Sequence, residues 1–526
     1  MSLPGSTSLG RQELGTRSSG ILLHPTSLPG PHGIGDLGPA AHQFADFLAE
    51  TGQSLWQILP LGPVGYGNSP YMCLSAFAGN HLLLSLERLV DDGLLEASEI
   101  EPAQGLQAGR VDYAQVAGFK RERLEIAFGR FNSGASAADR QAFFEFSERA
   151  ASWLEDYALF VALKEAHAGR KWTEWETGAA SRDEASLKDW RSRLAESIEW
   201  HKFLQFQFHR QWTALRACVA ERGIRLIGDT PIYVAHDSAE VWANRGLFHL
   251  DDAGEPTVVA GVPPDYFSAT GQRWGNPIYD WQRMADAGYE WWVNRLVSDF
   301  SQVDFVRLDH FRGFEAYWEV PASEHVATHG RWVRGPGAAF FERIGERLAE
   351  RGVEPRIIVE DLGVITPEVD ALREQFGFPG MRILQMAFGN DPKSSEYKPH
   401  NHPRNSVAYT ATHDHNTTAG WFTVEPGSQS TQTAGEIEAE REAARRYIGS
   451  DGSEIHWDFI RLALGSPAAM AIIPLQDVLG LGTEARMNRP GSASGNWEWR
   501  FVEDALDAAV RRRLGMLTET YERNPD

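Results

Sequence analysis

Cysteine is scarce: Cys73 and Cys218 are the only two in 526 residues. That is too few for a disulfide framework or a four-thiolate zinc site, and it points to a reducing, cytoplasmic setting. Positive charge is also in deficit, with 50 Lys and Arg against 72 Asp and Glu and a formal net charge of −22. Nucleic acid and anionic membrane would be repelled, which excludes both as main partners. No apolar stretch approaches the roughly 18–20 residues that cross a bilayer. The N-terminus, MSLPGSTSLGRQELGTRSSG, has no apolar core of a secretory signal, and its Gly and Ser content predicts a loose tail over residues 1–19.

Several motifs are missing or broken. The chain contains no Gly-Lys pair, hence no P-loop, and neither HExxH nor GxSxG occurs. A dinucleotide-type pattern stands at Gly33, Gly35 and Gly38, but LPGPH separates it from the preceding strand and no acidic residue ends the next one. Nicotinamide binding is therefore not expected there, nor at the partial match Gly480, Gly482 and Ala485. His413, Asp414 and His415 are consecutive, so on a strand they point to alternate faces and converge poorly on a metal.

What is present is a set of eight short apolar runs: residues 20–25, 55–61, 223–234, 304–310, 355–363, 381–388, 406–414 and 468–477. Runs of this length read as strands buried on both faces, which parallel sheets require. Helix-period segments lie between many of them, such as AAHQFADFLAETG and PEVDALREQFG. The alternation predicts an α/β protein, a (β/α)8 TIM barrel over residues 20–526. Two intervals are too long for a plain βα unit. Residues 62–200 read as a mostly helical insertion between strands two and three, and residues 230–290, rich in Gly, Pro and aromatics, as a long loop insertion over the barrel mouth after strand three.

Polar residues ending barrel strands gather at one mouth, where this fold places its chemistry. Three carboxylates stand out there: Asp309, Glu360 and Asp414. Asp309 ends the fourth run and Glu360 the fifth, and neighbouring strands lie about 4.8 Å apart. Their carboxyl groups can then stand about 5–5.5 Å apart, the spacing of retaining glycosidases, whereas inverting enzymes need about 6.5–9.5 Å. Arg307, two residues before Asp309, faces the same side and would keep it ionised. Glu360 would need its pKa raised to about 6–7 to act as an acid near neutrality. Asp361 points the other way and is expected to anchor the strand end. The 18 Trp and 13 Tyr supply flat faces with polar edges that suit sugar rings.

At this point the residues resemble a known family. LLHPTSLPGPHGIGDLG, LPLGPVGYGNSPY, IGDTPIYVAHDSAEVW, VAGVPPDYFSATGQRWGNPIY, DFVRLDHFRGF, IIVEDLG, YTATHD and LGTEARMNRPGSASGNW are similar, in register, to the 4-α-glucanotransferases. These are the amylomaltases or disproportionating enzymes, glycoside hydrolase family 77 of the α-amylase clan. The resemblance implies that Asp309 is the nucleophile, Glu360 the general acid/base and Asp414 the transition-state stabiliser. It implies substrate-binding roles for Arg307, His413, Asp229, His310, Ser69 and Tyr71. Tyr266 and Phe267 would belong to a loop arching over the site, with Gln272, Trp274 and Asn276 on the acceptor side. Neither metal nor organic cofactor is implied. The partners implied are α-1,4-glucans and maltooligosaccharides, with glucose as acceptor.

Three positions depart from the family pattern: Asn68 where many members carry Asp, Ala269 where many carry Glu, and His415-Asn416 where many have Asn-Asp. None is one of the three carboxylates. The expected reaction is retaining transfer of glucan segments, with net α-glucan hydrolysis and non-catalytic glucan binding as the alternatives.

Overall fold

The computed structural model describes residues 14–264, 270–425, 432–492 and 494–524. Twelve strands are found among them: β1 (Ser18–Leu22), β2 (Leu55–Gln57), β3 (Arg225–Thr230), β4 (Val258–Val262), β5 (Gln272–Pro277), β6 (Phe305–Leu308), β7 (Ala316–Pro321), β8 (Arg331–Arg334), β9 (Ile357–Val359), β10 (Gly380–Ile383), β11 (Ser406–Tyr409) and β12 (Met470–Pro474). Eight close into a parallel barrel, in the order β1-β12-β11-β10-β9-β6-β3-β2. Each of these eight lies in or overlaps one of the eight apolar runs, so the chain is a (β/α)8 barrel as the alternation predicts. β1, β6, β11 and β12 are buried at every position, because helices cover the outer face and neighbouring side chains fill the interior.

Local sequence sets where the barrel helices begin and end. Pro39 opens Pro39–Glu50 and Pro367 opens Pro367–Phe376, positions where the missing N–H costs nothing. Gly377 ends the second of these at φ 66°, a left-handed cap that glycine adopts without strain. A reciprocal box between Thr433 and Glu436 starts Ala434–Ile448.

Between β2 and β3 every regular element is helical, the longest being Tyr113–Gly134, Ala137–Ala166 and Ala195–Glu221. Two buried glutamines on the last helix fasten the loop that leads in from the barrel. Gln205 exchanges two hydrogen bonds with the backbone of Gly79 (2.7 and 2.9 Å). Gln211 does the same with Ser85 (2.8 and 3.1 Å). Each amide acts as a piece of neighbouring backbone would, satisfying groups that otherwise lack partners in the interior.

The region after β3 is not simply a loop. β4 and β5 pair antiparallel there, and β4 also pairs with β7, which with β8 forms a hairpin following β6. The result is a four-stranded antiparallel sheet, β5-β4-β7-β8, beside the barrel. Its strands are short and rich in Gly, Pro and Trp, and the central β4–β7 pairing joins separate insertions, so no local periodicity announces it.

The dinucleotide-type glycines have a packing explanation. A Cβ on Gly35 would lie 2.1 Å from the Pro25 carbonyl oxygen, so the residue is there for close backbone approach within the first βα loop.

Candidate active site

β6 lies between β3 and β9, with Leu308 opposite Thr230 on one side and Val359 on the other. One residue further along, Asp309 and Glu360 leave adjacent strands side by side, while Asp229 lies opposite Arg307. The Arg307 side chain is buried and bridges two carboxylates. Its Nη1 stands 2.7 Å from both oxygens of Asp229 and 2.9 Å from Asp309 Oδ1. The Asp229 side chain is wholly buried, but that of Asp309 keeps 26% of its surface open to the mouth.

Glu360 is held from two backbone directions. The His310 N–H donates to Oε2 (2.8 Å) and the Leu362 N–H to Oε1 (2.7 Å). His310 can aim its amide this way because it takes a left-handed conformation, φ 53° and ψ 48°, uncommon for a side-chain-bearing residue. Its ring meets Trp274 edge to face at 4.8 Å. Trp274 in turn donates its indole N–H to Gln272 (3.2 Å).

On the far side of the mouth, Asp414 accepts from the Asn488 amide (2.6 Å) and lies 3.3 Å from His413 Nε2. Tyr71 spans the gap between this carboxylate and the Arg307 cluster. Its hydroxyl donates to Asp229 Oδ2 (2.7 Å), so at 2.8 Å it accepts from His413 Nε2. The Tyr71 and His413 rings stack at 5.2 Å, and Trp497 leans on both. A continuous chain therefore runs His413, Tyr71, Asp229, Arg307, Asp309.

The carboxylates do not share one electrostatic environment. Burial pushes Glu360 up to about 8, with the Asp309 charge adding to it, against the pull of Arg307 and the two backbone bonds. Burial raises Asp309 less, to about 6, because Arg307 opposes it. At Asp414 burial is outweighed by His413 and Asn488, which hold its carboxyl well below the usual range. Burial lowers His310 to about 3, leaving its ring neutral.

The structure thus brings together Asp309, Glu360, Asp414, Arg307, His413, Asp229, Tyr71, His310 and Trp274. Ser69 reaches this cluster through Tyr71, whose amide its hydroxyl accepts (3.2 Å). Asn276 is buried, and its amide donates to the Val234 carbonyl (2.9 Å). Tyr266 and Phe267, like Ala269, lie outside the described residues. Asp361 anchors the strand end as expected, accepting from the Met381 amide (2.7 Å) and pairing with Arg382. His415 turns to the Thr412 hydroxyl (2.7 Å). Sequence reasoning gave no role to Asn488, Trp497 or Arg486, whose guanidinium donates to the Asp414 carbonyl (2.6 Å). All three sit in an irregular stretch after β12 where no period marks a face, although that stretch carries part of the family resemblance.

A closed parallel barrel with carboxylates on adjacent strand ends at one mouth is the arrangement of a glycoside-processing barrel enzyme. The chain belongs to the 4-alpha-glucanotransferase family, glycoside hydrolase family 77, whose model matches residues 23–504. It is 49% identical over 513 residues to a 4-alpha-glucanotransferase of Synechocystis, covering 97% of this chain and 99% of that one. A Thermus thermophilus 4-alpha-glucanotransferase is 48% identical over 515 residues, covering 96% and 99%. Among solved structures, amylomaltase from Streptococcus agalactiae in complex with acarbose superposes with a TM-score of 0.91 at 36% identity, covering 97% of this chain and all of that one.

Proposed function

We propose that the protein moves α-1,4-glucan segments between maltooligosaccharide or starch chains, and onto glucose, by retaining double displacement. Asp309 attacks the anomeric carbon while Glu360 protonates the leaving glycosidic oxygen, giving a covalent glycosyl-enzyme. Glu360 then takes the proton from an incoming sugar 4-hydroxyl, which displaces Asp309. Asp414, anionic and turned to the mouth, holds sugar hydroxyls and favours the oxocarbenium-like transition state. Arg307, Asp229, Tyr71 and His413 hold the two anionic carboxylates in place and line the donor side with Ser69. Gln272, Trp274 and Asn276 serve the acceptor side, Tyr266 and Phe267 belong to the loop over the site, and His310 also contacts substrate. In this reading residues 62–200 are an insertion buttressing the Tyr71 loop, residues 230–290 cover the mouth, and the enzyme works in the cytoplasm.

The observation that carries the proposal is the placing of Asp309 and Glu360 at adjacent strand ends, Asp309 paired with Arg307 at 2.9 Å and Glu360 held by the His310 and Leu362 amides. Burial and the neighbouring Asp309 charge push Glu360 upward and favour its protonated form, whereas Arg307 beside Asp309 works against burial there and favours its ionised form. One group is a ready acid and its neighbour a ready nucleophile.

Incubation with maltotriose tests it. Transfer gives a ladder of shorter and longer oligosaccharides with little change in total reducing ends, and Asp309→Ala abolishes it. Reducing ends rising in step with substrate loss would instead make the enzyme a hydrolase, and a fully active Asp309→Ala would remove the nucleophile.

A further inference from the structure

Away from the mouth, the first βα loop meets the helical insertion at a buried polar cluster. His32 is 1% exposed, and its Nε2 lies 2.9 Å from the Ile100 carbonyl oxygen. A carbonyl only accepts, so Nε2 carries the proton, and in the neutral ring Nδ1 presents a lone pair. That lone pair has no hydrogen-bond partner. It lies on the side of Glu87, and ligand atoms of His32, Asp36 and Glu87 all lie within 4.8 Å of one another.

The spacing is informative. His32 Nδ1 and Glu87 Oε1 are 3.7 Å apart, too far for a hydrogen bond, whose range ends near about 3.2 Å. Two ligands at about 2.0–2.2 Å from a tetrahedral zinc stand roughly 3.4 Å from each other, so the gap is close to that of two groups facing one ion. The remaining contacts leave these atoms available. Ser85 donates to the other oxygen of Glu87 (2.8 Å). Asp36 accepts from the Gly38 amide (3.0 Å) and from Lys120 Nζ (3.2 Å), which still leaves lone pairs on both of its oxygens. Lys120 compensates Asp36, and among the described residues no Lys or Arg forms an ion pair with Glu87. The Glu87 side chain is 30% exposed, which gives an ion a path in.

We propose that His32 Nδ1, Asp36 and Glu87 form a binding site for a divalent transition-metal ion of the zinc class, with water completing the shell. Its role is structural, clamping the loop after β1 to the insertion. It is distinct from the carboxylates that carry the glycosyl chemistry.

The test uses the full chain, stripped with chelator and dialysed against Zn2+ or Co2+. The expected result is one equivalent retained, a Co2+ absorption band in the visible, and a higher Tm with Zn2+. Glu87→Gln keeps the packing and His32→Phe keeps the stack on Phe119. Each should weaken Zn2+ binding by about tenfold or more, the least that removal even of an outer-shell partner brings, and should abolish the Tm response. Two results overturn the site. One is wild-type chain that retains no metal. The other is metal held equally well by Glu87→Gln, which places it elsewhere on the acidic surface.

Discussion

At the scale of single residues, the proposed chemistry rests on the neighbouring carboxyls of Asp309 and Glu360. Because Asp309 and Glu360 titrate as a pair, the profile of kcat/KM against pH should be a bell, rising near pH 6 and falling near pH 8. A flat basic limb to pH 9 would contradict the assignment of Glu360. The same shift has a stability consequence. A carboxyl whose folded pKa is raised stabilises the fold fully below its unfolded value of about 4.5, and this contribution is lost as pH rises through about 8. Wild-type Tm should therefore fall relative to that of Glu360→Gln as pH increases across this window, as read by thermal melts at several pH values. Tyr71→Phe removes one hydroxyl but breaks two links, to Asp229 and to His413. Hydrogen bonds to charged groups contribute roughly 1.5–3 kcal/mol, so kcat/KM for maltotriose should drop about tenfold to a hundredfold; an unchanged value would leave the chain of contacts without a catalytic role.

At the scale of elements, the barrel is closed from outside by the chain's last residues. After the helix Ala508–Thr520, Arg523 is fully buried and its guanidinium donates to carbonyl oxygens of Ser18, Leu464 and Ala468 at 2.7–3.0 Å. These carbonyls lie at the start of β1 and just before β12, the seam where first and last barrel strands meet. Burial lowers Arg523 to about 9. Arg523→Ala leaves several buried acceptors unpaired at about 1–3 kcal/mol each. The expected loss is about 3 kcal/mol or more in denaturant unfolding, and a change under 1 kcal/mol would show that water replaces the guanidinium freely. The eight barrel strands were legible because each is an apolar run, whatever it pairs with. The β5-β4-β7-β8 sheet was not. Its members are short, its edge strand Arg331–Arg334 is largely exposed, and the strand character of β4 and β7 arises from partners far along the chain.

At the scale of the whole molecule, among the described residues no helix is long and apolar enough to cross a membrane, and both cysteines are free. Burial raises Cys73 to about 12, so its thiol stays protonated and unreactive. Dithiothreitol should leave both Tm and activity unchanged, and iodoacetamide should not modify Cys73 in the folded enzyme near pH 8. Rapid alkylation there, followed by mass spectrometry, would show that the loop around it opens. The sequence alone determined the barrel and singled out three candidate carboxylates at its mouth, because buried parallel strands and their polar ends leave a local signature. Only the tertiary structure decided how those carboxylates differ. The proton affinities of Glu360, Asp309 and Asp414 depend on burial and on Arg307, His413 and Asn488, neighbours that folding brings from different strands and loops. Electrostatic energy depends on distance in space, which the order of residues does not record.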